Sequence, residues 1–319
     1  MIVVLTTFSN ADTHRAVAGA IPGFKRMSYR AFFARPTVRR ATYIFADLDR
    51  LGFWQLECAA HAHRSLRAAG CHVLNDPARA LQRLGLLRRL HRLGINRFRA
   101  WPAIDVEDVD RFPVFLRTAS AHRGPLTELI DDGRRLQDAL EDLLDAGYPL
   151  SELMAVEYRA EPIRAGVFRK HAAYRIGGEV VASASVHEGR WAAKGGQDGL
   201  AGAEGYAEDL ELLKGAPHAR QVMAAFEAAD IEYGRADFGV VDGRPEIYEI
   251  NTNPMVSLKA DHADPARSEA LRLTLDGYLA AMRRLDDTPA GPRVRLAQPE
   301  LFRAVGRRWH LVPGYGWTP

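Results

Sequence analysis

The chain contains 319 residues, of which 47% are hydrophobic and 26% are charged. This composition is ordinary for a soluble globular protein, and the length predicts two or three compact units. The formal net charge of +3 is too small to indicate a nucleic-acid binder, whose positive charge would be concentrated on one face. No apolar run approaches the roughly 20 residues that span a bilayer. The only cysteines, Cys58 and Cys71, favour a reducing compartment.

The first 75 residues are predicted to form a small α/β unit. Residues 1–8 have no basic flank and no small-residue cleavage site, so they indicate a first buried strand rather than a signal peptide. Further strands are predicted at 41–46 and 71–75, with a helix at 55–69 between them. Alternating strands and helices are typical of a parallel sheet. We expect a cytoplasmic protein with no membrane or nucleic-acid partner.

Residues 76–100 are predicted to be helical, because leucines recur along one face. The helix is basic, and a membrane or nucleic-acid surface is one interpretation of its arginines. A solvated face that makes one or two phosphate contacts is the favoured alternative. A strand at 112–117 and a long amphipathic helix at 127–146 follow.

Two β-hairpins are predicted in the second half of the chain, each marked by glycine at its turn. Their strands are residues 167–176 with 179–186, and residues 236–241 with 246–250. The other elements predicted here are a buried strand at 153–158, helices at 221–229 and 268–285, and an extended tail after residue 288.

The second hairpin carries the chemistry. If its turn is centred on Gly243, Asp237 lies opposite Glu249 with their Cβ atoms about 5 Å apart. Asn251 follows two residues after Glu249 and shares its face of the strand. Facing carboxylates repel each other unless a cation lies between them, and these oxygen ligands suit Mg²⁺, which relies on substrate phosphates for the rest. The alternative, a solvent-facing hairpin edge, is disfavoured because Glu249 stands among apolar residues.

The order Gly-Arg-x-Asp, a hairpin, and then Glu-x-Asn-Thr-x-Pro within residues 234–254 resembles the ATP-grasp superfamily. The similarity is greatest to D-alanine–D-alanine ligases and glutathione-synthetase-like enzymes. It implies that Asp237, Glu249 and Asn251 hold magnesium ions that bridge the phosphates of ATP. It also implies that Arg235 contacts the transferred phosphate and stabilises charge in the transition state.

The resemblance implies further phosphate contacts upstream and downstream. Arg83 and Arg117 stand where the family has phosphate-binding lysines, which keeps the charge and changes its geometry. Lys194 corresponds to a third lysine and would hold charge that develops during phosphate transfer. The loop over the phosphates has a single glycine, so His122 or Arg123 would replace backbone contacts by side-chain contacts.

The resemblance also places residues along the nucleoside. Glu157, Tyr158 and Arg159 would lie along the adenine base, and Glu161 is a candidate for the ribose. Lys170 is a further candidate for phosphate binding or catalysis. Strand alternation separates Lys170 from the arginine before it, so only one of the pair can face the cleft.

The implied fold is α/β (α+β), with ATP bound between two α+β subdomains. The expected ranges are an N-terminal α/β domain at 1–80, a central subdomain at 81–155, a C-terminal subdomain at 156–290 and an extended tail at 291–319.

The implied function is a Mg-ATP-dependent ligase. A carboxylate would attack the γ-phosphate to give an acyl phosphate, and an amine or thiol would then displace phosphate. The alternatives are a phosphotransferase on the same ATP site and a degenerate protein that binds nucleotide without catalysis. The expected partners are small-molecule or peptide carboxylates and amines, which no motif identifies. Oligomeric state is open, and a homodimer is one of the alternatives.

Overall fold

The computed structural model describes residues 1–10, 12–120, 123–193, 195–286, 288 and 291–297. Within them the chain forms eight α-helices and fourteen β-strands. In chain order these are β1 (Ile2–Thr6), α1 (Arg15–Ala20), β2 (Phe24–Ser28), α2 (Tyr29–Phe33), β3 (Thr37–Val38), β4 (Thr42–Phe45), α3 (Phe53–Ala68), β5 (Val73–Leu74), α4 (Arg83–Arg92), β6 (Ala100–Pro102), β7 (Val114–Thr118), α5 (Gly133–Asp145), β8 (Leu153–Glu157), β9 (Pro162–Arg164), β10 (Val167–Ile176), β11 (Glu179–Glu188), α6 (Gly202–Gly215), α7 (Ala219–Ala228), β12 (Tyr233–Val241), β13 (Arg244–Asn251), α8 (Pro265–Arg284) and β14 (Val294–Arg295).

The N-terminal sheet has four parallel strands in the order β2-β1-β4-β5. Strands β1 and β4 are buried throughout, as expected for a parallel sheet that is covered on both faces. One face packs on α2 and α3, and the other packs on α8 and on the start of β12. The α/β class predicted from the sequence is therefore confirmed.

Two antiparallel sheets follow the N-terminal one. Strands β6-β8-β7 form a three-stranded sheet that packs on α5. Strands β11-β10-β12-β13, with β9 paired to β10, form a five-stranded sheet whose core is shared with α4 and α7. A two-stranded pair joins β14 to β3, and the rest of the predicted tail, from residue 298, lies outside the described residues. None of the described helices combines the length and apolar character needed to cross a membrane.

The extents of two predicted helices were wrong. The helix predicted at 76–100 is the shorter α4, because the N–H of Leu81 donates to the carbonyl of Ala229 and Gly94 adopts a φ of 69° just past its last turn. The helix predicted at 127–146 begins at Gly133, where Asp132 caps it by accepting the N–H of Arg135. Helix α6 was missed altogether.

A buried asparagine joins the N-terminal sheet to the five-stranded sheet. Asn75 has no solvent exposure and a φ of 62°, a region that asparagine tolerates. Its Nδ2 donates to the carbonyls of Phe45 and Tyr233. Its Oδ1 accepts the N–H groups of Glu232 and Tyr233. The side-chain hydrogen bonds of Asn75 thus hold the start of β12 beside the end of β4.

Replacing Asn75 by alanine is expected to lower the free energy of unfolding by at least about 3 kcal/mol, because several buried backbone groups lose their partners and alanine disfavours a positive φ. Urea denaturation followed by circular dichroism measures this loss. Asp230→Ala is the matched control, since Asp230 is exposed and also has a positive φ, of 54°. This variant should lose only the stability that comes from tolerating a positive φ. Equal losses in the two variants would show that the Asn75 bonds do not join the sheets.

Candidate active site

The register of the β12–β13 hairpin brings two carboxylates face to face. Asp242 and Gly243 form its two-residue turn with φ values of 50° and 70°. The turn therefore lies between these two residues and is not centred on Gly243, as the sequence analysis assumed. Tyr248 is an extra residue on β13, and this bulge shifts the register by one so that Asp237 pairs with Glu249 after all.

The bulge also turns an aromatic side chain into the cleft beside Glu249. Both Tyr248 and Glu249 line the cleft, which strict alternation along a strand would not allow. Gly239 makes the room, because a Cβ at this position would collide with the phenol of Tyr248. The Tyr248 hydroxyl donates to the carbonyl of Arg159 at 2.8 Å, and burial raises the pKa of Tyr248 above its usual value.

Asp237 is held by two cations. It is 3% exposed, and its Oδ1 accepts from Nε of Arg235 at 2.8 Å. Its Oδ2 lies 3.2 Å from Nζ of Lys170. Burial opposes the charge of Arg235, but Asp237 and Tyr174 more than offset it, so the pKa of Arg235 lies above its usual value.

Glu249 is held by two other cations. Its Oε2 accepts from Arg83 at 2.7 Å and from Arg117 at 3.4 Å. Arg83 also donates to the carbonyls of Thr118 and Ala119, which fixes it below the start of the loop that follows β7. Burial and the charge of Arg83 lower the pKa of Arg117 to about 10, so the guanidinium of Arg117 stays charged at neutral pH.

These ion pairs leave the cleft floor with a surplus of positive charge. Four cations, Lys170 and three arginines, face two carboxylates, so the cluster has a net charge near +2 before any ligand binds. Partly buried arginines and lysines are typical of phosphate sites. The floor can therefore bind a polyanion.

The same floor carries oxygen atoms of the kind that bind magnesium. Asn251 pairs with Arg235 in the hairpin register and stands on the cleft beside Asp237 and Glu249. No group of three or more His, Cys, Asp or Glu residues that could hold a metal occurs among the described residues. Mg²⁺ needs no such group, because it binds through one or two carboxylates and substrate phosphates. Two carboxylates and an amide oxygen fit that requirement.

The opposite end of the cleft is aromatic. The cleft has a volume of about 970 Å³, which is large enough for a nucleotide-sized ligand. The ring of Trp191 lies 4.8 Å from that of Phe115 and 5.6 Å from that of Tyr158, centroid to centroid. Phe98 and Tyr248 complete the wall. Flat aromatic walls of this kind suit a planar heteroaromatic base.

The segment predicted to lie along adenine follows β8 and lines the cleft. The N–H groups of Glu157 and Tyr158 donate to the carbonyls of Arg99 and Pro113, so these two donors are already used within the protein. The carboxylate of Glu157 is buried and pairs with Arg111 at 2.9 Å. A base in this end would therefore contact the side of Tyr158 rather than these N–H groups.

Arg159 and Glu161 tie the same segment to the hairpin turn. Arg159 lies 2.6 Å from Oδ2 of Asp242, and Glu161 accepts the N–H of Asp242 at 3.0 Å. Both side chains also line the cleft. Glu161, the residue predicted to bind the ribose, thus accepts a hydrogen bond from the hairpin turn and joins the two sides of the cleft.

The other predicted residues divide into three groups. Lys170 and its neighbour Arg169 both line the cleft, but only Lys170 pairs with Asp237, whereas the guanidinium of Arg169 pairs with Glu208 at 2.7 Å. Arg123 lines the cleft and lies over the ring of Tyr148 at 5.7 Å. The predicted residues His122 and Lys194 lie outside the described residues.

Several cleft residues were missed by the sequence analysis. They are Asn10, Thr13, Arg50, Phe115, Arg190, Trp191, Tyr248, Asn253 and Met255. Trp191 is close enough in sequence to Lys194 to have been noticed. Tyr248 could not be predicted as a cleft residue, because strict alternation from Glu249 places it on the opposite face of β13. Only the bulge turns its side chain toward the cleft.

Comparison with solved structures gives weak similarities over most of the chain. The D-alanine–D-alanine ligase of Coxiella burnetii has 13% identity and a TM-score of 0.49, covering 98% of this chain and 99% of that one. The Bacillus anthracis D-alanine–D-alanine ligase complexed with ATP has 13% identity and a TM-score of 0.46, covering 89% and 99%. The L-amino acid ligase of Bacillus licheniformis has 11% identity and a TM-score of 0.43, covering 91% and 77%.

The likeness concerns the arrangement of helices and strands alone. No protein-family model and no curated protein matches the chain.

ATP binding is expected to depend on Trp191, in the aromatic end of the cleft. Trp191→Ala is expected to weaken ATP binding by about tenfold or more, since stacking on a base contributes about 1–3 kcal/mol. Isothermal titration calorimetry measures the change. Trp191→Phe should retain most of the affinity, and Trp54→Ala, a tryptophan outside the cleft lining, should retain all of it. Unchanged ATP affinity in Trp191→Ala would show that the adenine base does not bind at the aromatic end of the cleft.

Proposed function

We propose that the protein is a Mg-ATP-dependent ligase of the ATP-grasp type, which activates a carboxylate by phosphorylation and joins it to an amine. One observation carries the proposal. Asp237 and Glu249 face each other across a hairpin, and each is held by two cations at the floor of a cleft whose other end is aromatic. Opposed carboxylates among excess cations suit a metal-bound polyphosphate.

The four cations have a defined task in this proposal. Arg83, Arg117, Lys170 and Arg235 bind the phosphate oxygens, and they neutralise the two carboxylates while no nucleotide is bound. An arriving polyphosphate competes for the same N–H donors, which frees oxygens of Asp237 and Glu249 to become ligands. Magnesium held by Asp237, Glu249 and Asn251 would supply neutralisation of the phosphate charge that builds up in the reaction.

Catalysis then depends on position and charge. A substrate carboxylate oxygen attacks the γ-phosphorus, the bond to the β–γ bridging oxygen breaks, and ADP leaves. Arg235 lies on β12 beside Asp237 and Tyr174, so its guanidinium is already at the floor of the cleft, where it would stabilise the transferring phosphate. An amine then attacks the acyl carbon and releases phosphate. No side chain of the protein forms a covalent intermediate in this scheme.

The test is ATP turnover with pooled carboxylates and amines, followed by mass spectrometry of the products. The proposal predicts ADP, free phosphate and a new amide. A stable phosphorylated product would identify a phosphotransferase instead. Absence of any stabilisation of the protein by Mg-ATP in a thermal-shift titration would contradict nucleotide binding itself.

Asp237→Asn and Glu249→Gln are expected to lower kcat by about 100-fold or more, a loss typical when one group that stabilises transferring charge is removed. Both changes keep size and remove one charge, so circular dichroism should be unchanged. Glu179→Gln is the control, because Glu179 forms an exposed pair with Arg284 at the start of β11, which β10 separates from the hairpin. Full turnover in either hairpin variant would refute the metal-ligand assignment.

A further inference from the structure

We infer that the end of the cleft beside the N-terminal sheet binds a carboxylate that carries a large apolar or aromatic group and no neighbouring ammonium, with Asn253 and Arg50 as its recognition residues. This inference rests on the proposed function, because it names the class of acid that the ligase activates. It depends on different residues from those assigned to the nucleotide.

Asn253 supplies an unused donor. Its side chain is 4% exposed and lines the cleft, and its Oδ1 accepts from the Thr13 hydroxyl at 2.8 Å. That bond fixes the amide, yet its Nδ2 has no hydrogen-bond partner among the described residues. A buried donor without a partner costs free energy, so an acceptor from a ligand is the economical explanation. The backbone N–H of Asn253 donates to Asn251, which sets the residue next to the proposed metal ligands.

Arg50 supplies a positive charge at the same end. It lines the cleft, its side chain is 32% exposed, and its only ion-pair partner in the described part of the chain is Asp47. Asp47 is fully buried and also accepts from the backbone N–H of Thr7 and from Asn10. A guanidinium anchored on one side in this way keeps further N–H donors for a carboxylate.

Hydrogen bonds join the two recognition residues into one wall. The Thr13 hydroxyl bonds both to Asn253 and to the carbonyl of Asn10, and the side chain of Asn10 reaches Asp47, the partner of Arg50. The loops that follow β1 and β4 are therefore tied to the loop that follows β13. These two loops meet at one edge of the sheet because β1 and β4 are parallel neighbours.

Exposed apolar side chains lie on or directly after these loops, and Phe53 and Trp54 begin helix α3 just past the loop that holds Arg50. Met255 lines the cleft and is 71% exposed. Phe8, Phe53 and Trp54 are 79%, 71% and 55% exposed, and each lies within four residues of a cleft-lining residue. A large apolar side chain such as Met255 left in water on the wall of a polar cleft is typical of a binding site for an apolar ligand.

The charges of this end define the ligand further. Acidic side chains line other parts of the cleft, but none lines the end formed by Asn10, Thr13, Arg50, Asn253 and Met255 in the described residues. Asp47, the acid paired with Arg50, is fully buried and does not line the cleft, so an α-ammonium group beside the carboxylate would meet Arg50 with no acid on the cleft surface to pair with it. The site thus favours a simple apolar acid over a free α-amino acid.

Calorimetric titration of the full chain with a set of matched small molecules tests the inference, with and without Mg-ATP analogue. The probes are 3-phenylpropanoate, propanoate without the ring, 3-phenylpropan-1-ol without the carboxylate, and L-phenylalanine with the ammonium. We expect 3-phenylpropanoate to bind at least about tenfold more tightly than each of the other three, since each lacks one recognised feature or adds a repelled charge. Equal or tighter binding of L-phenylalanine would overturn the assigned class.

Asn253→Asp is the decisive variant. It keeps size and the oxygen that accepts from Thr13, and it replaces the unused donor by a negative charge. We expect about 10- to 100-fold weaker binding of 3-phenylpropanoate, as is typical when a hydrogen bond to a charged group is lost. Arg50→Gln should weaken it comparably. Met255→Ala should also weaken binding of 3-phenylpropanoate because it removes an apolar contact, whereas Ile104→Ala, which changes an exposed apolar residue outside the cleft lining, should leave binding unchanged.

The two proposals fail separately. Wild-type protein that binds Mg-ATP but shows no preference for 3-phenylpropanoate overturns the inference and leaves the ligase proposal standing. Protein that binds 3-phenylpropanoate through Asn253 and Arg50 but binds no nucleotide overturns the ligase proposal. Unchanged binding in Asn253→Asp overturns the role of Asn253, because circular dichroism and thermal denaturation show directly whether that variant is folded.

Discussion

The arrangement of the cleft depends on the opposition of Asp237 and Glu249 across one hairpin. Two buried or half-buried carboxylates at neighbouring positions would repel each other, and the chain offsets this repulsion with four cations from three different parts of the fold. Arg83 comes from a helix, Arg117 from the three-stranded sheet and Lys170 from the neighbouring strand. The same electrostatic cluster therefore joins the walls of the cleft and makes its floor attractive to phosphate.

A single extra residue sets this geometry. The bulge at Tyr248 corrects the register so that Glu249 opposes Asp237, and it also delivers the phenol that forms part of the aromatic wall. Gly239 is required on the facing strand because only a residue without a Cβ leaves space for that ring. One local irregularity thus contributes Glu249 to the polar floor and Tyr248 to the aromatic wall, which is a common use of bulges near functional sites.

The sequence predicted the parallel N-terminal sheet, both hairpins and the opposition of Asp237 and Glu249, because hydrophobic alternation and glycine turns act locally. It predicted the opposition from a misplaced turn, and the bulge compensated for the error. The extent of α4 could not be predicted, since it depends on the contact of Leu81 with Ala229, far along the chain. The unused donor of Asn253 could not be predicted from the sequence either, because it depends on a contact with Thr13, which lies 240 positions away in the chain.

The central claim is that one cluster of cations and carboxylates binds nucleotide phosphates together with magnesium. Calorimetric titration of ATP at saturating Mg²⁺ and in EDTA tests it most directly. The account predicts that Mg²⁺ tightens ATP binding by about tenfold or more, a normal coupling between two ligands at one site, and that Glu249→Gln removes most of this gain. Equal ATP affinity with and without Mg²⁺, or a gain that survives in Glu249→Gln, would contradict it.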